Sequence, residues 1–177
     1  MSHLDTVALA VSVQRVFVFP ADLARTTATF CDFTRVLGHL PHLRLIKTYA
    51  ANQYRIRYNA AEGGVLHVSF YCDVQTDYTE ARRTFHVIPL AGVPPVQPEV
   101  AFNSITGQGY YTSRSFFRPA GSNTQIDYSI EIRADLPIRR ELDWMPKALV
   151  QRIAEDVVRR RLREITAALL TRSLAEM

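Results

Sequence analysis

The chain has 177 residues, of which 47% are hydrophobic and 21% charged, and its formal net charge is +4. This length and apolar fraction are sufficient for one sizeable core, and no linker-like segment divides the chain, so we expect a single domain over 1–177. No run of about eighteen apolar residues predicts a membrane span, and the start lacks the features of a signal peptide, so we expect a cytoplasmic protein.

The first predicted element is a β-strand. Residues 7–19 are mostly apolar and β-branched, and Pro20 ends the run. We expect the strand over 14–19, with 1–13 as an extension of it.

Two short helices are predicted next. Asp22 and Asp32 each precede a pattern with helical spacing, and an aspartate in that position accepts hydrogen bonds from the free N–H groups of the first turn. Gly38 and Pro41 end the second helix.

After Pro41 the spacing of apolar residues changes from nearly four to two, which indicates a change from helix to sheet. An extended surface loop is expected over 89–98, because four prolines and Gly92 exclude regular structure there. The predicted strands are 43–49, 53–59, 65–74, 78–88, 100–106, 109–117 and 125–136.

One long amphipathic helix is predicted over 143–174, with Asp143 as its cap. At about 1.5 Å per residue such a helix is roughly 45 Å long, so it must lie across something broad. The apolar residues assigned to its inner face are Met145, Leu149, Ile153, Val157, Leu162, Ile165 and Leu169.

The segment 16–40, VFVFPADLARTTATFCDFTRVLGHL, followed by Pro41-His42-Leu43, resembles the opening of START-like (SRPBCC) proteins, the superfamily of Bet v 1 and the polyketide cyclases. The order of elements matches over 16–174. The resemblance implies an α+β helix-grip fold, in which a curved antiparallel sheet of about six to seven strands wraps around the long C-terminal helix. Two short helices follow the first strand.

Metal and cofactor sites are not predicted. His39 and His42 have a spacing that occurs in metal sites, but a proline separates them and no third ligand is near in sequence. No GxSxG elbow and no Gly-rich phosphate loop is present. Cys31 and Cys72 are interpreted as buried free thiols.

A nucleic-acid partner is not predicted either. Arg159, Arg160, Arg161 and Arg163 are nearly consecutive, so on a helix they spread around the axis, and nearby acidic residues offset their charge. The excess of positive charge comes from scattered arginines rather than from a basic tail.

Arg83 is unusual because it alternates in register with the apolar residues Phe85 and Val87. On an inner sheet face it would need a counter-charge, which the carboxylate of a bound ligand could provide. Alternatively, a bulge or the strand end carries Arg83 to solvent.

The resemblance implies a cavity of roughly 300 to 1,000 Å³ between the sheet and the long helix, lined by aromatic and hydroxyl side chains. We expect the protein to bind or transport a small hydrophobic or amphipathic molecule, such as a lipid, in this cavity.

The first alternative function is a cyclase- or dehydratase-type enzyme acting on an aromatic or polyketide-like substrate, with Tyr128 or His86 pointing inward. The second alternative is a protein-interaction module with a filled core. The sequence leaves the oligomeric state open. The expected lining residues are Phe30, Phe33, Phe70, Arg83, Tyr111, Phe117, Tyr128, Trp144, Leu149 and Ile153.

Overall fold

The computed structural model describes residues 6–62, 66–101, 104–137 and 145–175. Within these ranges the chain forms one eight-stranded sheet and three α-helices. No helix there is both long and apolar enough to span a bilayer. The elements are β1 (Thr6–Phe19), α1 (Leu23–Cys31), α2 (Phe33–His39), β2 (Leu43–Ala50), β3 (Gln53–Glu62), β4 (Leu66–Thr79), β5 (Thr84–Pro89), β6 (Glu99–Ala101), β7 (Ser104–Ala120), β8 (Asn123–Pro137) and α3 (Lys147–Ala175).

The strands are ordered β1-β8-β7-β5-β4-β3-β2, and the short β6 pairs with β7. The first strand pairs antiparallel with the last over its whole length, from Thr6 opposite Pro137 to Phe19 opposite Thr124. Helix α3 packs mainly against β1, and α2 contacts both α3 and β2. The expected α+β helix-grip fold is confirmed.

The predicted caps of the two short helices are present, and the predicted cap of the long helix, Asp143, lies outside the described residues. An Asp22 Oδ1 atom accepts a hydrogen bond from the Arg25 amide at 2.8 Å, and Asp32 Oδ1 accepts one from the Arg35 amide at 3.1 Å. Asp32 also ends α1, so one residue stops the first helix and starts the second. The two helices therefore meet at an angle and bring Phe30 and Phe33 into the core.

Three predicted strands have the wrong boundaries. The expected strand 78–88 contains a 3-10 turn, Glu80–Arg82, so β4 continues to Thr79 and β5 starts at Thr84. Conversely, the expected strands 100–106 and 109–117 are replaced by the short β6 and the long β7, which runs through Gly107 and Gly109. A Cβ atom at Gly109 would lie 3.1 Å from Cys72 Sγ, so this glycine permits close packing against β4 rather than a turn.

The start of β7 occupies the place that β5 vacates. Beyond Pro89 the chain leaves the sheet, and β4 pairs in parallel with β7 from His67 opposite Ser104 to Tyr71 opposite Gln108. The sheet therefore stays continuous, and segment 90–98 passes over its outer surface as the predicted loop.

Helix α3 turns a different face to the sheet in its first half than the sequence predicted. Leu149 and Ile153 are 46% and 50% exposed, whereas Leu162 and Ile165 are fully buried. Leu149 precedes Ile165 by sixteen residues, and at 3.6 residues per turn these two side chains point about 160° apart. The predicted inner-face residues are mostly four positions apart. Because one helical turn has 3.6 residues, a stripe with that spacing winds gradually around the helix axis. The side chains that pack on the sheet are Ala154, Val158, Leu162, Ile165 and Leu169.

Candidate functional site

A row of hydroxyl groups lies on the inner face of two central strands. Tyr111, Ser113 and Ser115 alternate along β7, and Tyr128 of β8 lies directly opposite Ser115 in the strand pairing. Residues two apart on a strand face the same side, so all four side chains point toward α1, α2 and α3. The site therefore combines hydroxyl groups with the apolar side chains around them.

The two tyrosines form the centre of this row. Tyr111 and Tyr128 are 2% and 6% exposed, and their Oη atoms lie 3.4 Å apart, at the long end of hydrogen-bonding range. Ser113 lies two residues along β7 from Tyr111, and its hydroxyl partly offsets the effect of burial on the pKa of both tyrosines. Burial raises the pKa of Tyr111, and it raises the pKa of Tyr128 well above its usual range, so both phenols are neutral at physiological pH.

These hydroxyls face a small cavity. Its volume is about 20 Å³, enough for roughly one water molecule and far below the expected 300 to 1,000 Å³. The difference arises because large side chains from all three helices reach inward. Its apolar lining is Phe30, Phe33, Val36, Leu40, Phe85, Val87 and Leu169.

An aromatic cluster closes one side of the cavity. The Phe30 ring lies 5.2 Å from that of Phe19 and 6.2 Å from that of Phe117, both in edge-to-face arrangements, and 6.1 Å from that of Phe17. Such pairs add stabilisation beyond area burial. Phe30 is the shared member of these pairs, so its ring links α1 to β1 and β7.

The structure brings together six of the ten expected site residues. Phe30, Phe33, Tyr111 and Tyr128 line the cavity. The two others, Phe70 and Phe117, are buried in the same core.

Three expected residues lie elsewhere, and a fourth, Trp144, lies outside the described residues. Arg83 is exposed, because the 3-10 turn breaks the alternation that placed it beside Phe85. Leu149 and Ile153 lie on the outer face of α3 for the helical-phase reason given above. His86 is half-buried and alternates with the cavity-lining Phe85 and Val87, so it points to the opposite face.

Ser113 and Ser115 are site residues that the sequence analysis did not name. Their signal was present: they occupy positions i+2 and i+4 after Tyr111, in register with the buried Phe117. Ser115 is buried. A small hydroxyl residue at a core-facing strand position leaves room and polarity where an aliphatic residue would fill space.

A second polar cluster lies on the outer face of the sheet. Arg55 donates from Nε to Asp73 Oδ1 at 2.7 Å and from Nη2 to Asp73 Oδ2 at 2.9 Å, and the Tyr49 hydroxyl donates to Oδ1 at 2.7 Å. Gln108 Nε2 donates to Oδ2 at 3.3 Å, and Arg55 Nη2 also donates to the Pro94 carbonyl at 3.1 Å. Burial alone would raise the pKa of Asp73, but these donors outweigh it and lower that pKa. All acceptor positions are used, so the cluster fastens the loop 90–98 rather than forming an open site.

A third cluster joins α3 to the start of β2. His42 Nε2 lies 3.0 Å from Glu164 Oε2, and Arg161 Nη1 donates to the same oxygen at 3.0 Å. Burial tends to raise the pKa of Glu164, but the hydrogen bonds from Arg161 and His42 lower it overall. In the described part of the chain no three histidine, cysteine or carboxylate side chains are grouped so that they could hold a metal ion.

Comparisons with known proteins identify the fold. No family model matches the chain, and no curated protein matches it significantly. Among solved structures, the Zhui aromatase/cyclase from Streptomyces sp. R1128 matches with a TM-score of 0.56 and 12% identity over 93% of both chains. A conserved protein from Geobacillus kaustophilus matches with a TM-score of 0.55 and 7% identity, over 92% of this chain and 95% of that one. A START superfamily protein from Mycobacterium smegmatis has a TM-score of 0.49 and 14% identity, over 94% and 99% of the two chains. The chain thus has the helix-grip fold that the resemblance over residues 16–43 implied, and it shares that fold with the aromatase/cyclase.

Proposed function

We propose that the protein binds a small hydrophobic or amphipathic molecule in the interior between the sheet and α3. The observation that carries the proposal is the group of hydroxyls of Tyr111, Tyr128, Ser113 and Ser115, which faces a cavity inside an otherwise apolar core. The similarity to solved START-like structures supports the same location through the fold.

The hydroxyl group is difficult to explain by packing alone. Each phenol has one donor and can also accept, and the Tyr111–Tyr128 contact at 3.4 Å uses this capacity weakly. The carbonyl or hydroxyl oxygen of a ligand can accept a shorter hydrogen bond from one of these phenols, and the surrounding phenylalanines suit an aromatic or alicyclic body.

The cavity must enlarge when a ligand binds. A volume of about 20 Å³ does not admit an organic molecule, so side chains from the helices have to move outward. Phe30 on α1, Phe33 and Val36 on α2, and Leu169 on α3 line it. The proposal therefore includes an outward shift of α1 and α2, the two short helices that cover this end of the sheet.

Titration with the uncharged fluorescent dye N-phenyl-1-naphthylamine tests the proposal. Ser113→Leu fills the cavity, and we expect it to weaken dye binding roughly tenfold or more. Tyr110→Phe is the matched control, because Tyr110 lies on the same strand but is 52% exposed, and it should leave binding unchanged. Native mass spectrometry of the purified protein should also detect a co-purifying small molecule. A wild type that binds neither dye nor any co-purifying molecule would show a filled core and favour an interaction module.

A second candidate, cyclase- or dehydratase-type catalysis, is favoured by the paired tyrosines. Because their pKa values are raised, the phenols are protonated at neutral pH and can donate a hydrogen bond or a proton to a substrate carbonyl. Tyr128→Phe keeps the ring and removes the hydroxyl. If the protein is an enzyme of this class, turnover of a polyketide-like substrate is lost in Tyr128→Phe while dye binding persists; if it is a binding protein, no turnover is observed in either form.

A further inference from the structure

A second cleft lies outside the core, between α1 and the turn that joins β4 to β5. Its volume is about 780 Å³, and it is open to solvent. Leu23, Ala24 and Ala28 of α1 form an apolar floor, while Tyr78 and Arg83 provide polar groups on the opposite side. The small alanine side chains leave room on the surface of α1 that larger residues would occupy.

Arg83 is held at this cleft by an unusual backbone conformation. Its φ angle is 50°, in the left-handed region that favours glycine. Its amide donates to the Glu80 carbonyl at 3.0 Å, and its own carbonyl accepts from the Phe117 amide at 2.9 Å. The base of the side chain is therefore fixed. None of the ion pairs between described residues involves Arg83, so its guanidinium is available to an anion. A strained residue retained at a cleft is a reason to look for a function there.

Tyr78 separates the cleft from the interior. It is 37% exposed and lines the cleft together with Thr27 of α1. Burial raises the pKa of Tyr78, so the hydroxyl keeps its proton. Its ring lies 6.5 Å from that of Phe117, which in turn contacts Phe30. This aromatic layer separates the cleft from the interior cavity, so the two sites are distinct.

We infer that this cleft binds a small amphipathic monoanion, with an aromatic or short aliphatic body on α1 and a carboxylate or sulfonate on Arg83. A planar guanidinium binds such groups through two parallel hydrogen bonds. Glu80 also lines the cleft, and because its negative charge repels each anionic group of a ligand, a dianion binds less well than a monoanion. The inference does not depend on ligand binding in the interior.

The test uses 8-anilinonaphthalene-1-sulfonate, an aromatic monoanion, and compares two neighbouring arginines. Arg83→Gln should weaken its binding roughly tenfold, because the charge-assisted hydrogen bonds are lost. Arg82→Gln is the matched control: Arg82 is exposed in the same turn but does not line the cleft, and we expect a change of less than about twofold. Binding of the uncharged N-phenyl-1-naphthylamine should be the same in both variants. Equal losses in both variants would indicate unspecific charge attraction and overturn the inference, as would an unchanged affinity in Arg83→Gln.

A second readout locates the bound probe. Cys31 lines the cleft, whereas Cys72 is buried in the core, so iodoacetamide at alkaline pH should modify Cys31 first. Bound 8-anilinonaphthalene-1-sulfonate should slow this alkylation several-fold. Ala28→Trp should fill the exposed cleft surface and abolish the protection. Unchanged alkylation of Cys31 at saturating probe would place the probe elsewhere and refute the cleft. If the wild type does not bind N-phenyl-1-naphthylamine but gives the results expected here for 8-anilinonaphthalene-1-sulfonate, the proposed interior site is refuted and the proposed cleft site is supported.

Discussion

The inner face of α3 can be tested by a matched pair of leucine truncations. Leu162 is fully buried in the second half of the helix, and Leu149 is 46% exposed in the first half. Replacing each with alanine removes the same atoms and changes intrinsic helix propensity by the same amount. The difference between the two variants therefore measures burial.

The structure predicts very different costs. Leu162→Ala leaves a cavity under the centre of α3, and such changes cost about 2 to 5 kcal/mol of unfolding free energy. In a domain of this size that corresponds to a fall of roughly 4 to 20 °C in melting temperature. Leu149→Ala loses only partly buried surface and should cost about 0.5 kcal/mol.

Urea unfolding followed by far-UV circular dichroism measures both variants in one experiment, with the wild type as reference. Equal losses in the two variants, or a larger loss in Leu149→Ala, would show that the helix is rotated from the orientation described above. The same outcome would restore Leu149 as a lining residue and return the ligand-binding site to the first half of α3.

Three further predictions concern other parts of the chain. Gly109→Ala should lower the unfolding free energy by about 1 to 3 kcal/mol, because its Cβ would lie 3.1 Å from Cys72 Sγ. Gly107→Ala should lower it much less, because a Cβ there would have no atom within 4 Å, and equal unfolding midpoints would contradict this difference. The pKa of Asp73 is lowered in the folded protein, so its ionised form stabilises the fold. This contribution to the free energy of unfolding is fully present above the pKa of an unfolded aspartate, near 4, and is lost as the pH falls through the lower pKa of the folded protein. Asp73→Asn should therefore flatten the acid limb of a stability–pH profile between about pH 5 and 2, and an unaltered limb would rule out this role. Burial raises the pKa of the Cys31 thiol to about 11, so at pH 8 its alkylation should be roughly a hundredfold slower than in urea-unfolded protein. Mass spectrometry measures both rates, and similar rates in the two states would contradict the burial of Cys31.

Local features of the fold could be predicted from the sequence because local chemistry determines them. Asp22 and Asp32 cap helices through contacts with residues three positions away, and the alternation in β8 follows from the two faces of a strand. The fold class followed from the order of these elements. The sequence left open whether Arg83 faces inward or is carried to solvent, because alternation alone does not reveal a turn whose residues have no glycine or proline.

Features that depend on distant contacts were not predictable in the same way. Asp73 occupies a polar strand face, yet it is buried because the loop 90–98 folds over it and Arg55 pairs with it. The size of the interior cavity depends on side chains from three helices that meet there. The phase of α3 over sixteen residues required the helical angle to be followed step by step, which a spacing rule of three to five does not do.

The pairing of β1 has a consequence for how the chain folds. The first strand hydrogen-bonds with β8 and packs against α3, so these neighbours lie more than a hundred residues later in the chain, as in the pairing of Phe19 with Thr124. During synthesis, β1 leaves the ribosome long before this partner exists. The entropy of closing so long a loop must be overcome before the contacts form, so we expect β1 to dock late and folding to be slow, on the order of milliseconds to seconds. Until then the β-branched segment 7–19 is exposed, and this nascent stage is where a chaperone has most to protect.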